Sequence, residues 1–346
     1  MSFAGFGKTE IRYDMFDQVR GVDEARRLLK CERIYHRGQE LAWDGRDLLA
    51  ELLAEHGGVR IPPEKVEAVK RIFAIIMWGE LAAWKISAQL ADLLVPLEAK
   101  MAATSQAHDE ARHFYVMHEY LGHLGYVPER MDRAPQALLD LVLETDNPLY
   151  KLLGMQLMIE SLALTIFQTV RELEVEPVLT ELMKYYERDE ARHVGLGMQY
   201  VPSLIQQCGK RELAALMTFQ ARILFWAVWE LKVLEKDFAT LGIEPRLVLE
   251  RGRRKQLAAY QAASQALGVL VERERNPVAM LLNATVEVLF PAAGERDHGM
   301  IGTFETAWKA FWRRDDRVDA EEMGQHARHS IRTARGVIAK GEDPVG

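Results

Sequence analysis

The chain has 346 residues, of which 49% are hydrophobic and 27% are charged, and its formal net charge is −7. This length allows a substantial buried core, and the composition excludes an intrinsically disordered chain. The acidic balance gives no reason to expect a nucleic acid or an acidic membrane surface as a partner. The one basic cluster, at 251–255, is short and lies in a helix-forming context, which is typical of a solvated helix face.

The cysteine content excludes two other classes of protein. Cys31 and Cys208 lie far apart, and neither forms a Cys-x-x-Cys pair, so a disulfide scaffold and a site of paired cysteines within one chain are excluded. The N-terminal residues lack the apolar core of a signal peptide. The most apolar segment, 223–229, is far shorter than the roughly 18 residues that a spanning helix needs. We therefore expect a soluble, cytoplasmic protein without a membrane partner.

Helix-forming residues dominate the chain, and prolines mark the helix starts. This pattern predicts four long helices, at 63–94, 96–122, 148–173 and 177–202, followed by helices at about 210–240, about 244–270 and in the C-terminal tail. The first four form two hairpins at an offset of about 80 residues, which predicts a duplicated hairpin that closes into a four-helix bundle. We expect an all-α protein with one domain over 1–346, a core at about 63–205, and flanking helices in 1–60 and 206–346.

The pentapeptide DEARH occurs twice, at 109–113 and at 189–193. Within each copy the glutamate and the histidine stand three residues apart, so both side chains lie on one face of a helix. The spacing alone is a weak signal, because residues 295–298 also fit it; these residues lie between two glycines and have no partner motif, which favours a solvated loop.

Each DEARH copy is preceded, thirty residues upstream, by a glutamate in an otherwise apolar run: Glu80 and Glu160. A carboxylate on a helix face that should be buried is costly unless it is paired or binds metal. Carboxylate oxygens and imidazole nitrogens suit iron or manganese. The candidate metal ligands are therefore Glu80, Glu110, His113, Glu160, Glu190 and His193.

This order, Glu, Glu-x-x-His, Glu, Glu-x-x-His, resembles that of the ferritin-like di-metal carboxylate superfamily over about residues 63–205. The superfamily includes the ribonucleotide reductase small subunit, soluble methane monooxygenase hydroxylase, acyl-carrier-protein desaturases and bacterioferritin. The resemblance implies a ferritin-like bundle that holds two iron ions, or one manganese and one iron ion, with O₂ as co-substrate. It is also compatible with a homodimer.

The resemblance further implies roles for the remaining charged residues of DEARH. Asp109 is expected to orient His193, and Asp189 to orient His113, because a ligating histidine gives its second N–H to such a group. Arg112 and Arg192 are expected to balance these aspartates. The alternative is that aspartate and arginine form ordinary surface pairs three residues apart. The residues in question are Asp109, Asp189, Arg112 and Arg192.

Three classes of function share such a centre: an oxidase or oxygenase, iron oxidation and storage, and radical generation for a ribonucleotide reductase. Radical generation is disfavoured because Met117 stands where that family usually has its radical-storing tyrosine, and because the first ligand is Glu80 rather than aspartate. Storage is disfavoured because about 200 residues lie outside the four helices.

Two related classes also differ from this chain. The small-subunit-like ligand-binding oxidases carry a valine–tyrosine crosslink, which is not expected here because the comparable positions are Ala83 and Met155. Arylamine N-oxygenases add a third histidine one turn before the last Glu-x-x-His glutamate. The residue at that position is Tyr186, so this ligand is missing.

The faces of the ligand helices also carry apolar residues that are expected to line the site: Ala83, Trp84, Met117, Met155, Leu164 and Phe167. Such a lining favours a small, partly apolar organic substrate, the alternative being ordinary core packing. Because no nicotinamide or flavin fingerprint is present, the electrons are expected from a separate reductase or ferredoxin. The sequence thus favours a non-haem di-iron, or Mn/Fe, oxidase or oxygenase.

Overall fold

The computed structural model describes residues 22–253, 277–291 and 299–312, and these ranges contain helices but no strand. The helices are α1 (Val22–Glu40), α2 (Gly45–His56), α3 (Val66–Leu93), α4 (Leu97–His123), α5 (Arg133–Leu143), α6 (Pro148–Leu152), α7 (Glu160–Glu172), α8 (Pro177–Ile205), α9 (Lys210–Val233), α10 (Glu235–Leu241), α11 (245–253), α12 (Pro277–Leu289) and α13 (Gly299–Phe311). The all-α prediction is confirmed.

The four predicted core helices are α3, α4, the continuous unit of α6 and α7, and α8. Side chains fix two of their starts: the side chain of Asn147 accepts from Leu149 N, and that of Glu176 accepts from Leu179 N, each at 2.9 Å. A proline at the first helical position follows each of these caps. The expected end of α8 near Pro202 was short, since the helix runs on to Ile205.

A π-helical turn, Leu153–Ile159, joins α6 to α7 and was not predicted from the sequence. Gly154 lies in this turn, and a Cβ there would come within 2.7 Å of the Val142 side chain, so the glycine allows the turn to pack closely on α5. Such turns change the helical register locally and are frequent at functional sites. This one ends directly before Glu160.

Helices α1 and α2 pack across α4 and α8, the two helices that carry DEARH. The short link between them places Trp43 against the bundle. On the other side α5 packs on α3 and α9. The sequence pattern did not predict α5. The helix expected at about 210–240 is divided at Leu234 into α9 and α10.

Some sequence predictions fall wholly or partly outside the described residues. Of the helix expected at 244–270, residues 245–253 are described and are helical. The C-terminal helix and the loop at 295–298 lie outside the described residues, and the single-domain organisation of 1–346 stays a prediction.

The buried apolar residues form two clusters, and the candidate ligands lie between them on all four core helices. On α3, Met77 belongs to one cluster and Ala83 to the other, with Glu80 between them. On α8, Tyr186 and Leu196 bracket the second DEARH in the same way. The core is thus divided by one polar layer.

Helix α6–α7, Pro148–Glu172, is long and apolar enough to span a membrane by length and composition, but 72% of its most apolar window is buried inside the protein. By contrast, the segment that is most apolar by sequence alone is the short segment 223–229. Its apolar character is that of a bundle helix that packs on several neighbours.

Glu230 of α9 is a buried carboxylate without a partner. Its side chain is 9% exposed, and neither carboxylate oxygen has a hydrogen-bond partner among the described residues. Burial raises the pKa of Glu230 to about 7, with a further increase from Asp132 that Arg71 partly offsets. Between the unfolded-state pKa of 4.5 and about 7 the folded protein therefore holds a proton that the unfolded chain has lost.

We predict that stability falls as pH rises through about 7 and that Glu230→Gln removes most of this dependence. At pH 8.5 the variant should be more stable than the wild type by roughly 1–3 kcal/mol. Urea unfolding at pH 5 and at pH 8.5 measures this. The exposed control Glu51→Gln should keep the wild-type profile, and an unchanged profile in Glu230→Gln would contradict the assignment.

Candidate metal centre

The bundle brings all six candidate ligands into one buried layer. Glu80 comes from α3, the first Glu–His pair from α4, Glu160 from the start of α7, and the second pair from α8. All six side chains are buried. Their donor atoms form two overlapping groups within which all atoms lie less than 4.8 Å apart. We call them the His113 half (Glu80, Glu110, His113, Glu190) and the His193 half (Glu110, Glu160, Glu190, His193).

Glu110 and Glu190 belong to both halves because each directs one oxygen to each histidine. Glu110 Oε2 lies 3.3 Å from His113 Nδ1, and Glu110 Oε1 lies 2.9 Å from His193 Nδ1. Glu190 Oε1 lies 3.2 Å from His113 Nδ1, and Glu190 Oε2 lies 3.1 Å from His193 Nδ1. The remaining two carboxylates each belong to one half only. This arrangement suits two ions that share a pair of carboxylates.

Unpartnered atoms test whether these residues fit metal ions. Glu110 Oε2, His113 Nδ1 and Glu190 Oε1 are buried and have no hydrogen-bond partner among the described residues. The two carboxylate oxygens nevertheless lie only 3.3 Å and 3.2 Å from His113 Nδ1. Buried polar atoms without partners are rare because desolvation is costly. Their convergence on one point fits a cation with oxygen and nitrogen ligands, such as iron or manganese.

The pKa shifts in the layer also indicate that its buried carboxylates need positive charge nearby. Burial raises the pKa of the Glu80 and Glu160 carboxyls well above their usual range. For His113 burial lowers the pKa, but the hydrogen bond to Asp189 and the nearby Glu110 carboxylate outweigh this effect, and the pKa lies well above its usual range. These directions favour the protonated forms of Glu80, Glu160 and His113, while the pKa values of Glu110 and Glu190 are lowered. Metal ions would replace these protons, so metal binding should release them.

The four other charged residues of the two pentapeptides form a buried network at the outer side of the histidines. His113 Nε2 lies 3.3 Å from Asp189 Oδ2, and His193 Nε2 lies 3.3 Å from Asp109 Oδ2. Each histidine thus gives Nε2 to an aspartate of the other copy and directs Nδ1 into the layer.

Both arginines bond both aspartates. Arg112 lies 2.6 Å from Asp109 and 2.8 Å from Asp189, and Arg192 lies 2.8 Å from Asp109 and 2.9 Å from Asp189. This differs from the surface pairs that were the alternative, because all four side chains are buried.

The His113 half has two aromatic neighbours whose contacts the sequence did not indicate. The indole N–H of Trp43 donates to Asp189 Oδ2 at 2.7 Å, and the Arg112 guanidinium lies 4.6 Å from the centre of the indole ring. Tyr186 stacks on the His113 imidazole at 4.2 Å and donates its hydroxyl to the His113 carbonyl at 2.6 Å. Tyr186 is thus bonded to the main chain and is not directed at the ligand atoms.

The His193 half has an amide neighbour instead. Gln106 Nε2 donates to Glu110 Oε1 and to Glu160 Oε1, each at 3.1 Å. The amide group of Gln156, in the π-helical turn, lies 3.2 Å from Gln106 Oε1. Sequence reasoning missed both glutamines. Their position four residues before a candidate ligand was the available signal.

The predicted apolar lining is not brought together around one opening. Ala83 and Met155 belong to one core cluster, and Met117 and Phe167 belong to the other. Leu164 and these four are buried. Trp84 is an exception and a correction: it lies one position further around α3 than Ala83, is 40% exposed and packs on Phe114. A narrow cleft of about 170 Å³, its open mouth included, lies beside His193. None of the six residues of the predicted apolar lining contributes to this cleft.

Several solved structures of oxidases share this fold. A protein with aldehyde deformylating oxidase activity from Synechococcus is 19% identical, with a TM-score of 0.51 over 60% of this chain and 97% of that chain. An R2-like ligand-binding oxidase with a reconstituted Mn/Fe cofactor is 16% identical, with a TM-score of 0.56 over 67% and 92% of the two chains.

A related oxidase from Sulfolobus acidocaldarius is also 16% identical, with a TM-score of 0.52 over 68% and 90%. These similarities confirm the ferritin-like fold. No curated protein sequence matches this chain.

We predict that Glu80→Ala and Glu160→Ala each lower metal binding from about two ions per chain to about one or fewer, because each removes a carboxylate that belongs to one half only. Metal analysis after anaerobic loading measures this. The metal-free variants should not be less stable than the metal-free wild type, since a buried carboxylate is removed. Glu67→Ala, whose side chain is 84% exposed, is the control. Binding of two ions by Glu80→Ala would contradict the assignment.

The sequence model of one protein family matches more than half of the chain. The sequence model of the family described as P-aminobenzoate N-oxygenase AurF matches residues 92–273. This range includes both copies of DEARH and Glu160, while Glu80 precedes it. The resemblance to di-metal carboxylate proteins is confirmed, the function is that of an oxidase or oxygenase, and the buried Glu/His groups could hold its metal ions. The chain therefore belongs to the AurF family of N-oxygenases and is a di-metal carboxylate oxidoreductase.

Proposed function

We propose that this protein uses O₂ at the buried layer to oxygenate a small, partly apolar organic molecule, and that the six candidate residues are its metal ligands. The observation that carries the proposal is the convergence of three unpartnered buried atoms, Glu110 Oε2, His113 Nδ1 and Glu190 Oε1, between two apolar clusters. A layer with this chemistry serves catalysis better than stability, because isolated buried charges are costly.

The protein's own residues would perform three tasks. Asp189 and Asp109 hold the histidines by Nε2, which leaves each Nδ1 directed at the layer. Glu110 and Glu190 hold the two halves at a fixed separation. The apolar clusters on both sides exclude water, which strengthens every electrostatic interaction inside. Bound metal ions would supply the reduction of O₂.

Two observations bear on the substrate class, and they favour different substrates. Membership of the AurF family favours oxygenation of the amino group of an aromatic amine such as p-aminobenzoate. The third histidine expected in arylamine N-oxygenases is replaced by Tyr186, which is bonded to the His113 main chain. We therefore propose an amine with a partly apolar body as first candidate, and oxidation of an apolar carbon group by a six-ligand centre as second.

Radical generation and iron storage, the two other classes compatible with the ligand pattern, are not favoured by any observation on the described residues. The external reductase or ferredoxin, a homodimer and a cytoplasmic location remain part of the proposal. They rest on the absence of a nucleotide-binding fingerprint in the sequence, on the resemblance, and on the two unpaired cysteines.

We predict that the iron-loaded, chemically reduced protein consumes O₂ and transfers an atom of ¹⁸O₂ to an aromatic amine. Mass spectrometry of products from a panel of aryl amines, aldehydes and alkyl aromatics identifies the class. Glu160→Ala should lower the rate at least about 100-fold, since it removes a metal ligand. Mineralised iron in a closed shell, or a long-lived tyrosyl radical without any labelled product, would contradict the oxygenase proposal.

A further inference from the structure

The two halves of the centre have the same ligand types but different supporting residues. In a helix, the residue four positions before a ligand lies on the same face, one turn away. At these four positions the first repeat has Ile76 and Gln106, and the second repeat has Gln156 and Tyr186. A strict repeat would give the two halves like surroundings, but the two repeats differ at these positions, and the structure shows unlike surroundings.

In the His193 half, the carboxylates already have donors. Gln106 is buried, and its Nε2 is shared between Glu110 Oε1 and Glu160 Oε1 at 3.1 Å each. Gln156, which is fully buried, packs against this amide, with its own amide group 3.2 Å from Gln106 Oε1. His193 Nδ1 also has a hydrogen-bond contact with Glu190 Oε2 at 3.1 Å. A metal ion that enters this half must share or displace these donors.

In the His113 half, Glu110 Oε2 and Glu190 Oε1 have no hydrogen-bond donor among the described residues. The three unpartnered atoms of the layer, Glu110 Oε2, His113 Nδ1 and Glu190 Oε1, all belong to it. Tyr186 stands where the repeat would place a second Gln106, and it offers a ring face to His113 and its hydroxyl to a main-chain oxygen. A metal ion that enters here satisfies buried atoms without breaking a hydrogen bond.

We propose that Gln106 is a positioning residue that makes the His193 half the weaker metal position, so that the His113 half fills first. The hydrogen bonds that Gln106 donates hold Glu160 and one oxygen of Glu110 in their metal-free arrangement. Loss of two such bonds weakens binding at this half by about tenfold or more. The inference rests on the metal centre of the proposed function but not on its substrate.

The test is an anaerobic titration of the metal-free full chain with Mn²⁺, followed by calorimetry and by electron paramagnetic resonance. The wild type should bind in two steps separated by about tenfold or more. At one equivalent it should show an isolated Mn²⁺ signal. Glu80→Ala should remove the tighter step and Glu160→Ala the weaker one, because each carboxylate belongs to one half only.

Gln106→Leu removes the donors and keeps the volume. Its second step should tighten by about tenfold towards the first. At one equivalent, part of the Mn²⁺ should then appear as coupled pairs, which a merely structural change would not produce. Gln156→Leu, which removes the amide packed against Gln106 but keeps Gln106 itself, should narrow the gap less, and it serves as the test if Gln106→Leu does not fold.

Tyr186→Phe is the control at the repeat-related position. It keeps the ring on His113 and should leave the second step unchanged. Equal affinities in the wild type, loss of the tighter step in Glu160→Ala, or a weaker second step in Gln106→Leu would overturn the proposal. Because the titration contains neither O₂ nor substrate, these outcomes are independent of whether the protein proves to be an oxygenase.

Discussion

Four carboxylates and two imidazoles share one dry layer, and most of the fold follows from the need to hold them there. Ionised groups away from water are stable only with opposite charge or hydrogen bonds. Here the histidines are bonded from behind by aspartates, and the aspartates by arginines. That leaves a surplus of electron-pair donors in the middle. Cations are the natural counterpart of this surplus, and retained protons take their place without metal.

The repeated hairpin explains how few residues suffice to form the layer and to stabilise it. Each DEARH supplies a ligand pair to the centre and an aspartate and an arginine to the opposite copy, so the two copies stabilise each other. The helices α1 and α2 then cover α4 and α8 and bring Trp43 to Asp189. Only the His113 half receives this indole, and only the His193 half receives an amide pair. The repeated pattern thus accounts for the ligands, and the positions at which the two repeats differ account for the difference between the halves.

The ligand set was predictable because it violates the local pattern: Glu80 and Glu160 interrupt apolar helix faces at the spacing of the repeat. Helix ends marked by Pro148 and Pro177 were predictable for the same local reason. The contacts of Trp43 and Gln106 were not, since they depend on how distant helices cross. Tyr186 was recognised as the place of a missing histidine, but its stack on His113 needed the structure.

The apolar lining shows the limit of helical periodicity. Residues on one helix face need not meet across the bundle: Met117 and Met155 lie in different clusters because the polar layer separates them. Trp84 follows Ala83 directly on α3 and therefore points about 100° further around the helix. Ala83 is buried, whereas Trp84 lies at the surface. The π-helical turn escaped prediction because its cause is the close packing of Gly154 on α5, a tertiary contact.

The central claim is that two metal ions occupy the layer between the two histidines. Anomalous diffraction from crystals of the iron-loaded protein tests it most directly. Our account predicts two peaks, one bonded to His113 Nδ1 and the other to His193 Nδ1, with Glu110 and Glu190 reaching both. A single peak, peaks bonded to Nε2, or iron bound elsewhere while the layer stays metal-free would contradict it.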